Sequence, residues 1–513
     1  MSTASSKKVA SDVPQLRDSH TDDVQSGSFL ETSNGSFDRI FGIETEYGIS
    51  VTGTEQPCPA PEVARTMFQP VISRSRSTNT YLQNGARLYL DVGSHPEYAT
   101  AETRSPLDAL KQDLAGERIM IGLAQRAQDQ LQRQHGSQAR VHLFKNNVDA
   151  SGQSFGCHEN YLLRRQVSLD DVRRLLVPFL VTRQLFAGAG KVTRSGFELS
   201  QRADYLDEAV SSATTRSRPM VNTRDEPHAN PDLYRRLHVI VGDSNRSQTA
   251  TWMKLATTHL VLCMIEEAVE QGTLSPCEPY ALIDPGKAIR AVSKDVSGQA
   301  SIDVVGLADS DASMRCSALS IQRAYLEAAQ DFVTRHSDDG DVMLDDAGQV
   351  LAVWSDALQA IETGDWQSLS SWVDWAAKLS IINAFKRRYV LTHESGSSPS
   401  WAQLKMLDFE YHDIINGHVF ESMEAHHRMR TLISTSQIAD AVTNPPANTR
   451  AHLRGRFIQA ALAKDIPWSC DWTHLVATGL AETGEERHAE FEIMDPFMSQ
   501  ATPEFEQFID TIR

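Results

Sequence analysis

The stretch Asn84–Thr100, NGARLYLDVGSHPEYAT, decides how this chain of 513 residues is read. Taken as a strand, its two-residue period puts Arg87, Tyr89 and Asp91 on one face and Leu88 and Leu90 on the other. A guanidinium, a phenol and a carboxylate in a row over an apolar underside suit the floor of a site that holds charged reactants. The pattern points to chemistry on phosphate.

A second strand pattern, RIFGIETEYGIS from Arg39 to Ser50, places Glu44 and Glu46 on one face and Ile43, Thr45 and Tyr47 on the other. Neighbouring carboxylates repel, and the repulsion is tolerable if water solvates them, if one takes up a proton, or if they share a divalent cation. By itself a Glu-x-Glu pair is an ordinary solvated strand face. Beside the Arg87–Asp91 strand it reads as part of a charged site, to which Glu97 and Asp91 can add.

Composition sets the class. A chain of this length with 41% hydrophobic residues can build a large core and one smaller appended domain. The net charge of -18 argues against a nucleic-acid partner, although a local basic groove is compatible with it. Cysteines 58, 157, 263, 277, 316 and 470 contain no C-x-x-C pair, which fits reduced thiols and leaves any metal to oxygen ligands. No apolar run approaches a membrane span, and the first residues lack the apolar core of a signal peptide, so a cytoplasmic protein is expected. Residues 1–37, rich in Ser, Thr, Asp and Gly, are expected to form a disordered tail.

Further along, Ser105-Pro106 opens a helix expected to reach Gln134, and Val141 begins another strand. The run from Leu169 is helical with a kink expected at Pro178, and YRRLHVIVGDSN, from Tyr234, is a strand candidate. A long helix over Thr249–Glu270 carries Trp252, Leu255, Leu262, Ile265 and Val269 on one face, with His259 among them as a satisfied core histidine. HSDDGDVMLDDAG from His336 and HESGSSPS from His393 have the composition of surface loops. Pro445-Pro446 separates two helical patterns, and a small C-terminal domain, 436–513, is expected to follow a catalytic domain over 38–435. Early strands, later long helices and no strict βα alternation favour an α+β fold with a mainly antiparallel sheet.

The segments GIETEYG, NGARLYLDVGSHPEYATAE, FKNNVDASGQSFGCHENYL, SSATTRSRP, NTRDEPHA and YRRLHVIVGDSN resemble the Pup ligase family from about Arg39 through the Trp472 region. Pup is the prokaryotic ubiquitin-like protein of actinobacteria and some relatives. The resemblance implies a large domain similar to glutamine synthetase and other carboxylate-amine ligases. It implies that ATP activates the C-terminal glutamate of Pup, which is joined to a lysine of a target protein destined for proteasomal degradation. It further implies that Glu44, Tyr89 and Glu97 bind Mg2+, that Arg87, Thr100 and Trp472 contact ATP, and that Asp91 is the proton acceptor. Glu46 joins the metal set on strand periodicity alone.

The depupylase, a relative that deamidates Pup and removes it from targets, shares most of these motifs. It carries a DHAHPEYS-like segment and a long loop after the first Glu-bearing strand, whereas here the segment is Asp91-Val92-Gly93-Ser94-His95 and the connection from Ser50 to Asn84 is short. A catalytically silent adaptor is disfavoured by the intact polar set. Arg216, Arg218, Arg224, His238 and Asn245 are left outside the site as solvated or structural residues, and His158 and Glu159 lack zinc spacing. Pup, small, disordered and acidic, is expected to bind a local basic or apolar groove and to order partly as an amphipathic helix.

Overall fold

The Arg39–Ser50 segment divides at Tyr47 into two strands that enter different sheets. In the computed structural model, which describes residues 37–512 apart from 92, 213–217, 307–313, 338–343, 345, 394–396 and 480–487, strand β1 is Phe41–Glu46 and β2 is Gly48–Thr52. The chain continues through α1 (Ala60–Ser75), β3 (Asn79–Tyr81), β4 (Arg87–Leu90), β5 (Pro96–Ala99) and α2 (Pro106–His135). Next come β6 (Arg140–Phe144), β7 (Cys157–Arg164), β8 (Lys191–Val192), β9 (Phe197–Glu198), β10 (Glu208–Ser211), β11 (Pro219–Asn222) and β12 (Tyr234–Val239).

Eight of these strands make one sheet in the order β10-β11-β12-β7-β1-β5-β4-β3, antiparallel throughout except for the parallel β10–β11 pair. The fold is α+β with an antiparallel-dominated sheet, as expected. Strand β2 leaves it to pair with β6.

The stretch that opens the sequence reading is a hairpin rather than one strand. β4 ends at Leu90, and a turn closes with Asp91 N donating to His95 O at 3.0 Å and Ser94 N to Asp91 O at 2.8 Å. Ser94 sits at φ 61°, so the reversal strains a non-glycine residue. Two-residue alternation still holds within β4, where Leu88 is buried in the core beneath the sheet.

Helices cover the apolar face. α2 starts at the expected cap, with Ser105 Oγ accepting from Asp108 N at 3.1 Å, and runs to His135. Helix Gln248–Gln271 is buried along nearly its whole length, and its His259 is satisfied as expected by Arg39 Nε at 2.9 Å. The run from Leu169 breaks more than a simple kink requires. A π-turn over Val172–Leu176 precedes helix Val177–Thr182, whose second residue is Pro178, and helix Gln184–Ala187 follows. Beneath β1, Thr45 Oγ1 donates to Asp113 of α2 at 3.0 Å, and buried Lys145 pairs with Asp113 at 2.7 Å and Glu117 at 3.1 Å.

Phe37, which the composition assigns to the tail, belongs to the core. It is 8% exposed and meets Phe332 edge-on at 5.2 Å. The rest of the expected tail lies outside the described residues, as do most of the 336–348 loop and residues 394–396 of the other. All six cysteines are free. Among the described residues no helix is long and apolar enough to cross a membrane.

Residues 451–512 place helices Ala451–Ala463 and Pro503–Ile512 against a three-stranded sheet, with a cluster of Phe457, Leu475, Phe505 and Phe508 that also takes Tyr81 from β3. Glu102, just past β5, anchors this region by accepting from Arg450 Nε at 2.8 Å and pairing with Arg454. Burial would raise its carboxyl, but Arg454 and Arg450 hold it at about 2. A depressed value contributes stability above the ordinary 4.5, and that contribution is lost as pH falls towards 2. Glu102→Gln should lower stability near neutral pH by about 3–5 kcal/mol, because it leaves buried guanidinium groups uncompensated. Its stability should also change less than the wild type's between pH 4.5 and 2. Urea unfolding across that range measures both, and equal slopes would remove Glu102 from the acid response.

Candidate active site

The strand register sets the site's geometry. Glu46 lies opposite Glu97, which lies opposite Tyr89, so one row crosses β1, β5 and β4. In the next row Arg87 faces Ala99, Ala99 faces Glu44 and Glu44 faces His158. A third row brings Asn160, His238 and Asn222 together. These side chains line an open cleft of about 2200 Å³ between the sheet and the C-terminal region.

All eight residues expected at a site reach this cleft: Glu44, Glu46, Arg87, Tyr89, Asp91, Glu97, Thr100 and Trp472. The Arg87 guanidinium lies 4.3 Å from the Tyr89 ring centre, with Nε donating to Asn79 at 2.8 Å. Asp91 opens the β4–β5 turn, and that turn is tied down by His95, which stacks on Phe155 at 4.7 Å. Thr100 Oγ1 accepts from Ile43 N at 3.0 Å, which spends one lone pair on holding β1 to β5. Trp472 meets Tyr81 edge-on at 5.2 Å and has the Arg454 guanidinium 5.0 Å from its ring centre.

The carboxylates occupy different electrostatic settings. Burial opposes charge on Glu44, yet Arg236, at 2.7 Å, and then His158 and His238 hold its carboxyl well below the usual range. Glu97 goes the other way: burial, then the charges of Glu44 and Glu46, push it well above. Burial, then the charges of Glu44 and Glu97, raise the Tyr89 phenol, which hydrogen-bonds Glu97 and stays neutral. The donor sets Glu44, His158, His238 and Glu46, Glu97, His158 each bring their ligand atoms within 4.8 Å of one another.

Some residues left outside the site belong to it. His238 faces the cleft rather than the core. Burial drives its imidazole down to about 3, and its Nε2 has no hydrogen-bond partner among the described residues. His158 sits in both donor sets, while its neighbour Glu159 points to the opposite face and pairs with buried Arg183 at 2.5 Å. Arg218 and Arg224 line the cleft; Asn245 instead lies in the core, donating to Ala187 O and Asp374. Arg216 lies outside the described residues. Two partners of Glu44 were missed altogether, Arg236 and Asn160, the latter donating at 3.1 Å. The period that picks out Glu44 and Glu46 also links His158 with Asn160 and Arg236 with His238, so the signal was present in the sequence.

The family model described as Pup-ligase protein matches residues 39–476. The chain belongs to the Pup ligase family. It is 51% identical to the Pup--protein ligase of Bifidobacterium longum (strain NCC 2705) over 98% of this chain and 100% of the relative. With the Pup--protein ligase of Bifidobacterium dentium it shares 50% identity over the same proportions. Among solved structures, the ligase PafA in complex with Pup superposes with a TM-score of 0.81 at 34% identity, covering 93% of this chain and 92% of that one. PafA in complex with ADP gives 0.73 at 35% identity, over 90% and 95%.

In this Pup ligase family member, the raised Glu97 carboxyl marks a folded state that is destabilised as pH climbs above the ordinary carboxylate range. Glu97→Gln should therefore raise stability at pH 7.5 without divalent ions, by about 1–2 kcal/mol. It should also shrink any further stabilisation that added MgCl2 produces. Thermal unfolding of both proteins in EDTA and in magnesium reads this, and a variant less stable than wild type in EDTA would refute the repulsion argument.

Proposed function

We propose that this chain is an ATP-dependent ligase that forms an isopeptide bond between the γ-carboxylate of Pup's C-terminal glutamate and a lysine ε-amine of a target protein, through a γ-glutamyl phosphate. The observation that carries the reading is the single cleft in which four acids, Glu44, Glu46, Asp91 and Glu97, share a floor with Arg87. Relatives named as Pup--protein ligases and PafA structures holding Pup or ADP support it.

In this reading Arg87 grips phosphate oxygens of ATP with its planar fork, Thr100 supplies a further contact, and the Trp472 indole stacks on adenine. Residues 436–513 act as a small domain that closes over the nucleotide, following a catalytic domain over 38–435.

Magnesium fits the donor set. Three carboxylates supply hard oxygens, flanked by the imidazoles of His158 and His238, and a cation would relieve the repulsion that raises Glu97. Glu46, Glu97 and Glu44 would hold it, with the neutral Tyr89 phenol contributing through a water. Arg236 keeps Glu44 ionised for that purpose. When bound, the ion neutralises phosphate charge and polarises the γ-phosphoryl group.

The Pup γ-carboxylate attacks the γ-phosphorus of ATP, expelling ADP and leaving an acyl phosphate. A lysine amine then attacks the carbonyl carbon and phosphate departs. Asp91 accepts the proton that the ammonium must shed to become a nucleophile, and its negative charge draws the cationic side chain in. The turn fixes its backbone, and its charge reaches the acid cluster, adding to those that raise the Glu97 carboxyl. The depupylase reading is not favoured: the Asp91–His95 segment is of the ligase kind and the relatives are ligases.

A gel-shift assay with ATP, magnesium, a lysine-bearing target and Pup ending in glutamate or glutamine tests the assignment. Conjugates from the glutamate form alone, matched by ADP, are expected. Conversion of the glutamine form, or release of Pup from a conjugate without matching ADP, would establish the depupylase instead. Asp91→Ala should cut conjugation by roughly 100-fold or more, as loss of a general base does, while nucleotide affinity changes little. Full activity in that variant would end its role as proton acceptor.

A further inference from the structure

Beyond Glu46, on the side of the acid cluster away from Arg87, the cleft wall carries two cations that form no ion pair among the described residues. Arg202 is 2% exposed, and its Nη1 donates to Phe155 O at 2.6 Å. Its Nε has no hydrogen-bond partner among the described residues. Arg218 donates from Nη1 to Ser154 O at 2.8 Å and is close enough to lower the Arg202 guanidinium further after burial has done so. The Ser154 hydroxyl is buried too, and it has no hydrogen-bond partner among the described residues. Two acids bear on Arg202, Glu46 first and then Asp243; Glu46 belongs to the acid cluster, and the Asp243 oxygens accept from Ala189 N, Gln201 N and Ser200 Oγ.

A buried guanidinium without an ion-pair partner is costly, and the charges of Glu46 and Asp243 offset the desolvation of Arg202 only in part. Such a group facing a cleft beside an unpartnered hydroxyl is suited to an anion that arrives from outside. The connection of this wall to the acid cluster bears on which anion. Phe155 and Ser154 lead into Gly156, whose carbonyl accepts from Glu46 N at 3.2 Å, so both arginines are tied to the loop that continues β1's row of acids. Tyr89 ends that row on β4, and Arg87 stands beside it one row along, 4.3 Å from its ring centre. The acid cluster therefore has a cationic pole on each side.

We propose that Arg202, Arg218 and Ser154 form a subsite for the α-carboxylate of the chain-terminal glutamate whose γ-carboxylate is activated. This rests on the ligase reading above and adds the element that selects a terminal residue. A C-terminal glutamate carries two carboxylates a few bonds apart. Gripping the α group at the Arg202–Arg218 pole extends the side chain towards the acid cluster, where the γ group meets the phosphoryl donor held from the Arg87 side. An internal glutamate, lacking an α-carboxylate, leaves the buried cation unpaired and is rejected.

The test compares Pup ending in glutamate with Pup whose final α-carboxylate is a carboxamide and whose γ-carboxylate is free. Calorimetric affinity without ATP, and KM and kcat for conjugation, are measured for wild type, Arg218→Gln and Arg202→Gln. With wild type the carboxamide should weaken binding and raise KM by roughly 10- to 100-fold, the cost of losing a charge-assisted bond, while the KM for ATP is unchanged. Arg218→Gln should impose a similar loss on native Pup and discriminate little between the two substrates. Equal binding of both Pup forms by wild type would overturn the proposal, and this comparison needs no variant to fold. A variant that lowers kcat equally on both forms with KM unchanged would overturn it too, assigning the arginines to the transferring phosphoryl group. Failure of wild type to conjugate native Pup at all would refute the ligase reading, whereas the calorimetric comparison reports on the subsite independently.

Discussion

Repulsion between carboxylates on adjacent strands is the constraint around which this structure is arranged. The antiparallel register of β1 and β5 sets Glu46 directly opposite Glu97, with Glu44 one step along the same face. Like charges so placed destabilise a sheet unless something offsets them. Arg236, reaching from β12, offsets Glu44. Among the described residues no cation pairs with Glu97, whose carboxyl rises accordingly. The sheet's opposite face explains why the register does not slip to relieve the strain. Thr45 is hydrogen-bonded to buried Asp113, Ile43 and Phe41 are sealed in the core, and a one-residue shift would exchange these for the acids. Core packing on one side thus holds a high-energy charge arrangement on the other, a distribution of strain common at functional sites.

The C-terminal region depends on the same sheet for a different reason. Its apolar cluster includes Tyr81 from β3, and its polar attachment is Glu102, two residues past Thr100. Arg454 joins these: it pairs with Glu102, donates to Trp472 O at 3.0 Å and lies 5.6 Å from the Tyr81 ring centre. The position of the Trp472 indole over the cleft is therefore coupled through one buried guanidinium to the end of β5. A displacement of the C-terminal region has to act on the strand that carries Glu97.

Much of this was legible in the sequence because strands write their faces with a period of two. Glu44 and Glu46, Arg87 and Tyr89, and the ends of α2 and of helix Gln248–Gln271 follow from local pattern and capping chemistry. What local pattern could not supply was the pairing between distant segments. Arg236 lies 192 residues from Glu44, and only the β1–β7–β12 neighbourhood makes it a partner rather than a solvated cation. The hairpin at Asp91 was missed because its turn is not written in the usual glycine at the strained position: Ser94, not Gly93, takes the positive φ. His238 was set aside as a core histidine although its period with Arg236 put it on a face that could meet the site: burial and facing a cleft are different properties, and it has both.

Net charge conceals how charge is distributed. A chain at -18 would be expected to repel phosphates, carboxylates and an acidic protein partner alike. The cleft nevertheless gathers Arg87, Arg202, Arg218, Arg236 and Arg450 around its acids, with low-dielectric walls that screen them little from one another. The surplus acids elsewhere are solvated and are damped by salt over about 10 Å, so they weigh little at the cleft floor. An anion entering the cleft meets the local field first. Alternation of acid and guanidinium along one wall lets the same surface attract anions and still retain a cation, because each sign is held in place by the other and by strands that cannot shift.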